Sequence, residues 1–218
     1  MTHRGAWRRD CAGASAVVLS GGKSRRMGEP KAFLDLGGRM LIERVLDVVT
    51  DLFAETLLVT LDGIPFERFG LPVIPDRHPG AGALGGLWTG ISAAAHPRSL
   101  VLACDMPFLN PALLAHLMGR ARGHNGAIPR GPDGLHPLHA VYEKRCAETL
   151  GRAIEAGALK LTDALAGLDL AEIEEEELRR FDPSLHSLFN VNRPEDLERA
   201  RRILGGASAT DNRPLGRD

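Results

Sequence analysis

The sequence predicts a single-domain, three-layer α/β/α sandwich built on a mostly parallel sheet. Three observations carry that expectation. Short apolar runs bounded by Gly or Pro alternate with segments of helical periodicity, the pattern of right-handed βαβ crossovers. The chain of 218 residues suits one domain with a sizeable core and no need of disulfide or metal staples. No internal repeat or linker divides it, so residues 15–204 form one unit. The ends, 1–14 and 205–218, are expected to be a disordered arm and tail. The arm carries Arg4, Arg8 and Arg9 without a following apolar run, and the tail is rich in Gly, Ser, Asn, Asp and Pro.

The elements follow in order. Ala16 to Ser20 is a buried strand that ends on glycines. Leu41 to Phe53 is a helix, because Leu41, Val45, Val48, Val49 and Leu52 recur at helical spacing. Leu57 to Leu61 is a strand, and Pro72 to Ile74 is a short one bounded by prolines. Leu84 to Ala95 is a helix opened by glycines, Ser99 to Ala103 a strand, and Pro111 to Arg122 a helix with Asn110 as N-cap and Pro at its first position. Gly126 to Pro129 and Pro137 to Tyr142 read as strands around a glycine-rich turn at 131–134. Glu143 to Glu155 and Leu161 to Ala166 read as helices, the acidic run Glu172 to Glu177 as a solvated face or edge strand, and Pro194 to Leu204 as the last helix.

Composition excludes several classes of function. There are 27 Lys and Arg against 28 Asp and Glu, a formal charge of −1, which argues against a polybasic nucleic-acid binder. Aromatics are only 5%, too few for base-stacking platforms. No apolar run approaches the roughly 18 residues that span a bilayer, and no secretory signal is expected. Three cysteines, Cys11, Cys104 and Cys146, form no metal spacing, and an odd number suits a reducing cytoplasm. The expectation is a cytoplasmic protein that engages neither membrane nor nucleic acid.

In sheets of this kind ligands sit at the carboxyl ends of the strands. Three chemically loaded segments fall there. The first, Ser20 to Lys31, places Lys23, Arg25, Arg26 and Lys31 against a single acid, Glu29. Gly21 and Gly22 let the backbone approach a ligand closely, and the cations suit a polyphosphate. It is not a Walker loop, since the GxxxxGK[ST] frame is missing. A solvated basic turn is the plain alternative. The second, Pro75 to Gly86, contains Gly80-Ala81-Gly82-Ala83-Leu84-Gly85, with Asp105 a further 20 residues on. That matches a dinucleotide fingerprint on paper, but the preceding strand is short and proline-bounded, and the fingerprint needs a strand feeding directly into the turn. Asp76 in this segment either serves a ligand or caps the next helix. The third is Cys104-Asp105-Met106-Pro107, which delivers a carboxylate to the end of an apolar strand. Asp105 is a magnesium candidate or simply an acid near a helix start. Cys104 reads as packing.

The run Leu19-Ser20-Gly21-Gly22-Lys23-Ser24-Arg25-Arg26-Met27-Gly28-Glu29-Pro30-Lys31 resembles the signature loop of the molybdenum cofactor guanylyltransferases, roughly L-A-G-G-x-S-x-R-M-G-x-x-K, with Ser20 in place of the usual alanine. Cys104-Asp105-Met106-Pro107 is similar to the family's C-D-x-P element. His136-Pro137-Leu138-His139-Ala140-Val141-Tyr142 resembles its Q-P-L-H-A-x-Y run, and Phe189-Asn190-Val191-Asn192-Arg193-Pro194-Glu195-Asp196 its F-x-N-x-N-T-P-E-D/E element. Arg193 stands where that element has threonine, and His136 where glutamine is usual. Together these motifs extend over residues 15–204.

The resemblance implies a Rossmann-like sheet of the nucleotide-diphospho-sugar transferase type. It implies transfer of GMP from GTP to the terminal phosphate of molybdenum-molybdopterin, with Mg²⁺ as cofactor. Arg26, Lys31 and Asp105 would be catalytic. The backbone of Leu19, Ser20, Gly21 and Gly22, with Lys31, Asp76 and Asp105, would bind the nucleotide. Asp105 and Asn192 would hold the metal, and Lys23 and Arg25 would be secondary. By strand alternation Asn190 and Asn192 would share a face; capping of the last helix is their alternative role. Arg130 and His139 would line the acceptor pocket, though a packed strand histidine fits equally well. Partners implied are GTP, the molybdenum-bound pterin, and molybdoenzyme chaperones or other cofactor-biosynthesis proteins. Three rivals stay open: a relative using CTP or another phosphate acceptor, a non-catalytic GTP-binding module, and a nicotinamide enzyme at Gly80–Gly85.

Overall fold

A computed structural model describes residues 3–21, 30–61 and 66–210. Strand β1 (Ser15–Ser20) has all six residues buried, as its unbroken apolar run requires of a central parallel strand. It pairs in parallel with β2 (Glu55–Thr60) on one side and with β4 (Arg98–Ala103) on the other. The short β3 (Val73–Pro75) extends the sheet beyond β2. On the far side β7 (His139–Glu143) runs antiparallel to β4, and β5 (Gly126–Gly131) runs antiparallel to β7. The hairpin partner β6 (Gly134–Leu135) and the parallel β8 (Leu170–Ile173) both join β5. The strand order β3-β2-β1-β4-β7-β5-β6 reverses direction between β1 and β4. A crevice opens there, at the carboxyl ends of two adjacent strands.

Helices cover both faces. One apolar layer joins Val18, Leu58, Leu100 and Leu102 to α2 (Leu41–Leu52) and α4 (Pro111–Arg120). The other joins Val17, Leu57, Val59 and Val101 to α3 (Ala83–Ala93), α5 (Cys146–Glu155) and α6 (Leu161–Leu165). Alternate residues of each central strand supply the two layers, as the twofold period demands. Asn110 caps α4 as its type and position suggest: its Oδ1 accepts from the N–H groups of Ala112 and Leu113 at 2.9 and 3.1 Å. The acidic run divides between edge strand β8 and the short α7 (Glu175–Arg179). Cys11, Cys104 and Cys146 are unpaired and buried. Among the described residues no helix is long and apolar enough to cross a membrane.

Both ends differ from expectation. The N-terminal stretch forms α1 (His3–Cys11) instead of a disordered arm. Trp7 and Cys11, one helical turn apart, pack on the core, and Arg8 donates to the carbonyl of Asp51 at 2.9 Å. Two apolar anchors among seven polar or small residues leave too weak a periodicity to read. The last helix, α8 (Pro194–Thr210), runs past Leu204 into the expected tail, and residues 211–218 lie outside the described part. A third apolar cluster, Leu34, Leu36, Leu41, Val191, Leu197 and Ala200, ties α8 to the segment before α2.

His139, expected to line an acceptor pocket, is instead core. It opens β7 opposite Leu102 and is fully buried, so it faces no open pocket. Neither ring nitrogen has a hydrogen-bond partner among the described residues. Burial, aided by nearby His136 and opposed by Asp182, lowers its pKa from 6.5 to about 3. The folded state therefore keeps the ring neutral where the unfolded chain takes up a proton. The resulting stability is present above pH 6.5 and is lost as pH falls toward about 3. Urea denaturation of wild type and His139→Leu checks this. The wild-type advantage over the variant falls by about 1.4 kcal/mol per pH unit through that window; a pH-independent difference contradicts it.

Candidate active site

Strand β1 delivers Leu19 and Ser20, both nearly buried, to the crevice. At Gly21 a Cβ would stand 3.4 Å from the Leu61 side chain, ordinary contact, so Gly21 is not required by crowding there. Gly22, Lys23, Arg25 and Arg26 lie outside the described residues. The chain is described again from Pro30, and Lys31 opens a 3₁₀ turn, Lys31–Phe33.

Lys31 is where the site assembles. Its Nζ lies 3.2 Å from Asp105 Oδ2 and 2.6 Å from Asn192 Oδ1, joining residues far apart in sequence. Asp105 follows the end of β4 and is 9% exposed. Its neighbour Cys104 donates its N–H to the carbonyl of Leu19 at 3.0 Å, so the β1 and β4 ends are held together where the carboxylate emerges. Asp105 uses its own carbonyl to accept from the N–H of Val191 at 2.9 Å, which brings the segment carrying Asn192 alongside. Burial pushes the Asp105 carboxyl above its usual range, and the Lys31 ammonium only partly offsets this. Its Oδ1 is buried and has no hydrogen-bond partner among the described residues. Burial, reinforced by Asp105, pushes the Cys104 thiol up to about 12, so this cysteine is packing and no nucleophile.

Asn190 and Asn192 do not share a strand face, because no strand forms at 189–192. Asn190 turns back and donates Nδ2 to the carbonyl of Leu188 at 3.2 Å. Neither amide caps α8. That role falls to Asp196, whose Oδ2 accepts from the N–H groups of Asn192 and Arg193 at 2.9 and 2.8 Å. Asn192 is thereby free to aim its carbonyl oxygen at the crevice.

Asp105 and Asn192 form an all-oxygen donor set with one unsatisfied carboxylate oxygen. That set suits a hard divalent cation whose remaining ligands are phosphates and waters. Among the described residues no group of three His, Cys, Asp or Glu could cage a metal. The donors therefore fit a hard divalent cation that shares its coordination with phosphates and waters.

Asp76 follows β3, its N–H bonded to the carbonyl of Thr60 at 2.9 Å. Its Oδ1 accepts from the N–H of His78 at 2.9 Å and from the hydroxyl of Thr89 at 3.2 Å. The GxGxxG glycines serve this loop. Gly82 adopts φ +59° with ψ −136°, a conformation open to glycine and strained for other residues, at the start of α3. At Gly85 a Cβ would come within 2.2 Å of the His78 carbonyl oxygen. The fingerprint's strand-to-turn context is absent, since a 3₁₀ turn, Pro79–Ala81, separates β3 from α3. Asp76 does not cap that helix, whose N-cap is Gly82 without a side-chain bond. Thr89 was not marked by any sequence motif; thirteen residues from Asp76, it meets the loop only because α3 folds back beneath it.

Arg130 is not brought to this centre. It lies on β5 and donates Nε to Glu172 Oε2 at 2.8 Å, with Glu174 beyond at 3.7 Å. Lys31, Asp105 and Asn192 are thus joined directly, Asp76 sits on the neighbouring strand end, and Arg130 and His139 stand apart.

Comparison with known proteins shows the family and the fold. A family model described as the MobA-like NTP transferase domain matches residues 16–170. A probable molybdenum cofactor guanylyltransferase of Pelotomaculum thermopropionicum is 39% identical over 191 residues, which cover 86% of this chain and 92% of the relative. A molybdenum cofactor guanylyltransferase of Desulfosudis oleivorans is 33% identical over 87% of this chain and 95% of its own. The crystal structure of molybdopterin-guanine dinucleotide biosynthesis protein A from Archaeoglobus fulgidus superposes with a TM-score of 0.77 at 35% identity, covering 88% of this chain and 99% of that one. A cytidylyltransferase structure from Thermus thermophilus, at 23% identity and a TM-score of 0.64, shares the fold. The chain belongs to the MobA-like NTP transferase family.

Proposed function

We propose that this chain transfers GMP from GTP to the terminal phosphate of molybdenum-bound molybdopterin and releases pyrophosphate. The observation that carries this reading is the convergence of Asp105 and Asn192 on the Lys31 ammonium at the sheet's switch point. In the reaction an acceptor phosphate oxygen attacks the α-phosphorus of GTP, and the bond to the oxygen bridging to the β-phosphate breaks. The acceptor is already anionic near neutral pH, so no strong general base is needed. The chain's task is to align two polyanions and neutralise the charge that builds at the α-phosphorus.

Residue roles follow from that task. Asp105 and Asn192 are the oxygen donors for Mg²⁺, which when bound supplies Lewis-acid stabilisation of the phosphate oxygens. Lys31 and Arg26 grip the triphosphate, with Lys23 and Arg25 secondary, and the Leu19–Gly22 backbone and Asp76 hold the guanine nucleotide. An ion held by Asp105 and Asn192 would compete with the Lys31 ammonium for those side chains, and Lys31 would then be available to the phosphates. Arg130, committed to Glu172, and His139, buried in the core, are not assigned to the acceptor.

The direct test supplies the purified chain with GTP, Mg²⁺ and molybdenum-molybdopterin and measures pyrophosphate. Release is expected; no release, or a preference for CTP, contradicts the reading. Two variants test the roles. Asp105→Asn loses activity by about 100-fold or more yet melts at a higher temperature at pH 7. The sign follows from the raised pKa: ionised Asp105 costs stability above its folded pKa, and a neutral amide does not. The gain closes as pH falls toward the ordinary carboxylate value of 3.8. An Asp105→Asn variant that melts lower at pH 7 contradicts the burial argument. Lys31→Met weakens GTP binding by roughly tenfold and, with the oxygens released, tightens Mn²⁺ binding measured without nucleotide. Mn²⁺ binding that weakens in this variant argues against a shared position.

A further inference from the structure

Thr89 lies in the middle of α3 and is fully buried. A hydroxyl carries one hydrogen. The Oγ1 of Thr89 accepts from the N–H of Arg77 at 3.1 Å, so its single hydrogen is left for Asp76 Oδ1, 3.2 Å away. That oxygen also takes the N–H of His78 at 2.9 Å. Two donors from two directions hold one carboxylate oxygen and fix the plane of the group. The other oxygen, Oδ2, has no hydrogen-bond partner among the described residues. It lies over the first turn of α3 beside the end of β1. A Cβ built on Gly86 would stand 3.9 Å from Oδ2 and 3.4 Å from Leu19 Cδ1. The two glycines under the carboxylate, Gly85 and Gly86, leave that approach uncovered by any side chain of their own.

We infer that Thr89 is a positioning residue for nucleotide selection: it acts through Asp76, holding one carboxylate oxygen so that the other is presented to the base edge of the nucleotide. This rests on the proposed role of Asp76. With Oδ1 so held, Oδ2 is the oxygen left for the guanine edge, and its lone pairs can accept from both N1–H and the exocyclic N2–H₂ only while the plane of the group is fixed. A carboxylate free to rotate loses the second contact more readily than the first. Thr89 therefore bears on discrimination between guanine and hypoxanthine, which lacks the exocyclic amine, and not on the rate of phosphoryl transfer.

Calorimetric binding of GTP and ITP to the full chain tests this, with Asp76→Asn, Thr89→Val, Thr89→Ser and the Asp76→Asn/Thr89→Val double variant. Thr89→Val is expected to weaken GTP binding by roughly tenfold and to narrow the GTP-to-ITP ratio. Thr89→Ser keeps the hydroxyl and both properties. The double variant binds GTP no worse than Asp76→Asn alone, because Thr89 has no carboxylate left to position. Should Thr89→Val fail to fold, Thr89→Ala completes the same cycle. If Asp76→Asn weakens GTP binding while Thr89→Val does not, or if the two losses add, the inference about Thr89 is overturned. If Asp76→Asn itself leaves GTP binding unchanged, the assignment of Asp76 falls and the inference falls with it.

Discussion

A buried carboxylate at the end of a parallel strand needs a cation, and most of the site can be understood as the answer to Asp105. The group sits where β4 leaves the sheet, in surroundings that penalise its charge, with one oxygen unpartnered among the described residues. Lys31 reaches it from the far end of the first loop, and Asn192, at the entry to α8, accepts from the same ammonium. Neither approach is accidental. The bond from Cys104 to Leu19 closes β4 against β1, and the bond from Val191 to Asp105 draws in the last segment. The crevice of an open α/β sheet supplies the place, and the carboxylate supplies the demand.

That demand has a thermodynamic side. An ionised group held above its usual pKa range works against folding, and the chain retains it just beyond the end of β4. The surrounding structure is correspondingly firm: two apolar layers clamp the central strands, and a third cluster fixes α8, whose entry segment carries Asn192. Asp196 folds back to accept the N–H groups of Asn192 and Arg193, the two residues just before that helix, and the Asn192 side-chain oxygen is left to Lys31. Strain of this electrostatic kind, tolerated by a rigid frame, is what a site designed to receive a polyanion and its counterion would carry.

Much of this was legible in the sequence. Unbroken apolar runs locate the central strands, because these are buried on both faces, and helical periodicity locates the principal helices, because each buries one face. Asp105 was legible because an apolar run ending in Cys-Asp places a carboxylate at the ligand side whatever the details of the loop. The ends were misread for a physical reason: α1 is held by two side chains, Trp7 and Cys11, and a helix of that kind has no stripe to detect. Asn190 and Asn192 were read as a strand by alternation, whereas the backbone there is shaped by Asp105 and Asp196, contacts no local pattern encodes. His139 lies in a run that resembles a family motif, and its burial follows from its register against Leu102. Thr89 carried no local signal at all, since its importance arises only from the fold of α3 beneath Asp76.

The central claim is that Lys31, Asp105 and Asn192 form one cation-exchanging centre. A crystal structure of the chain with GTP and Mg²⁺ tests it most directly. The ion is expected on carboxylate and amide oxygens of Asp105 and Asn192, with Lys31 Nζ moved onto a phosphate. An ion bound elsewhere, with Lys31 still bridging Asp105 and Asn192 beneath a bound nucleotide, would contradict it.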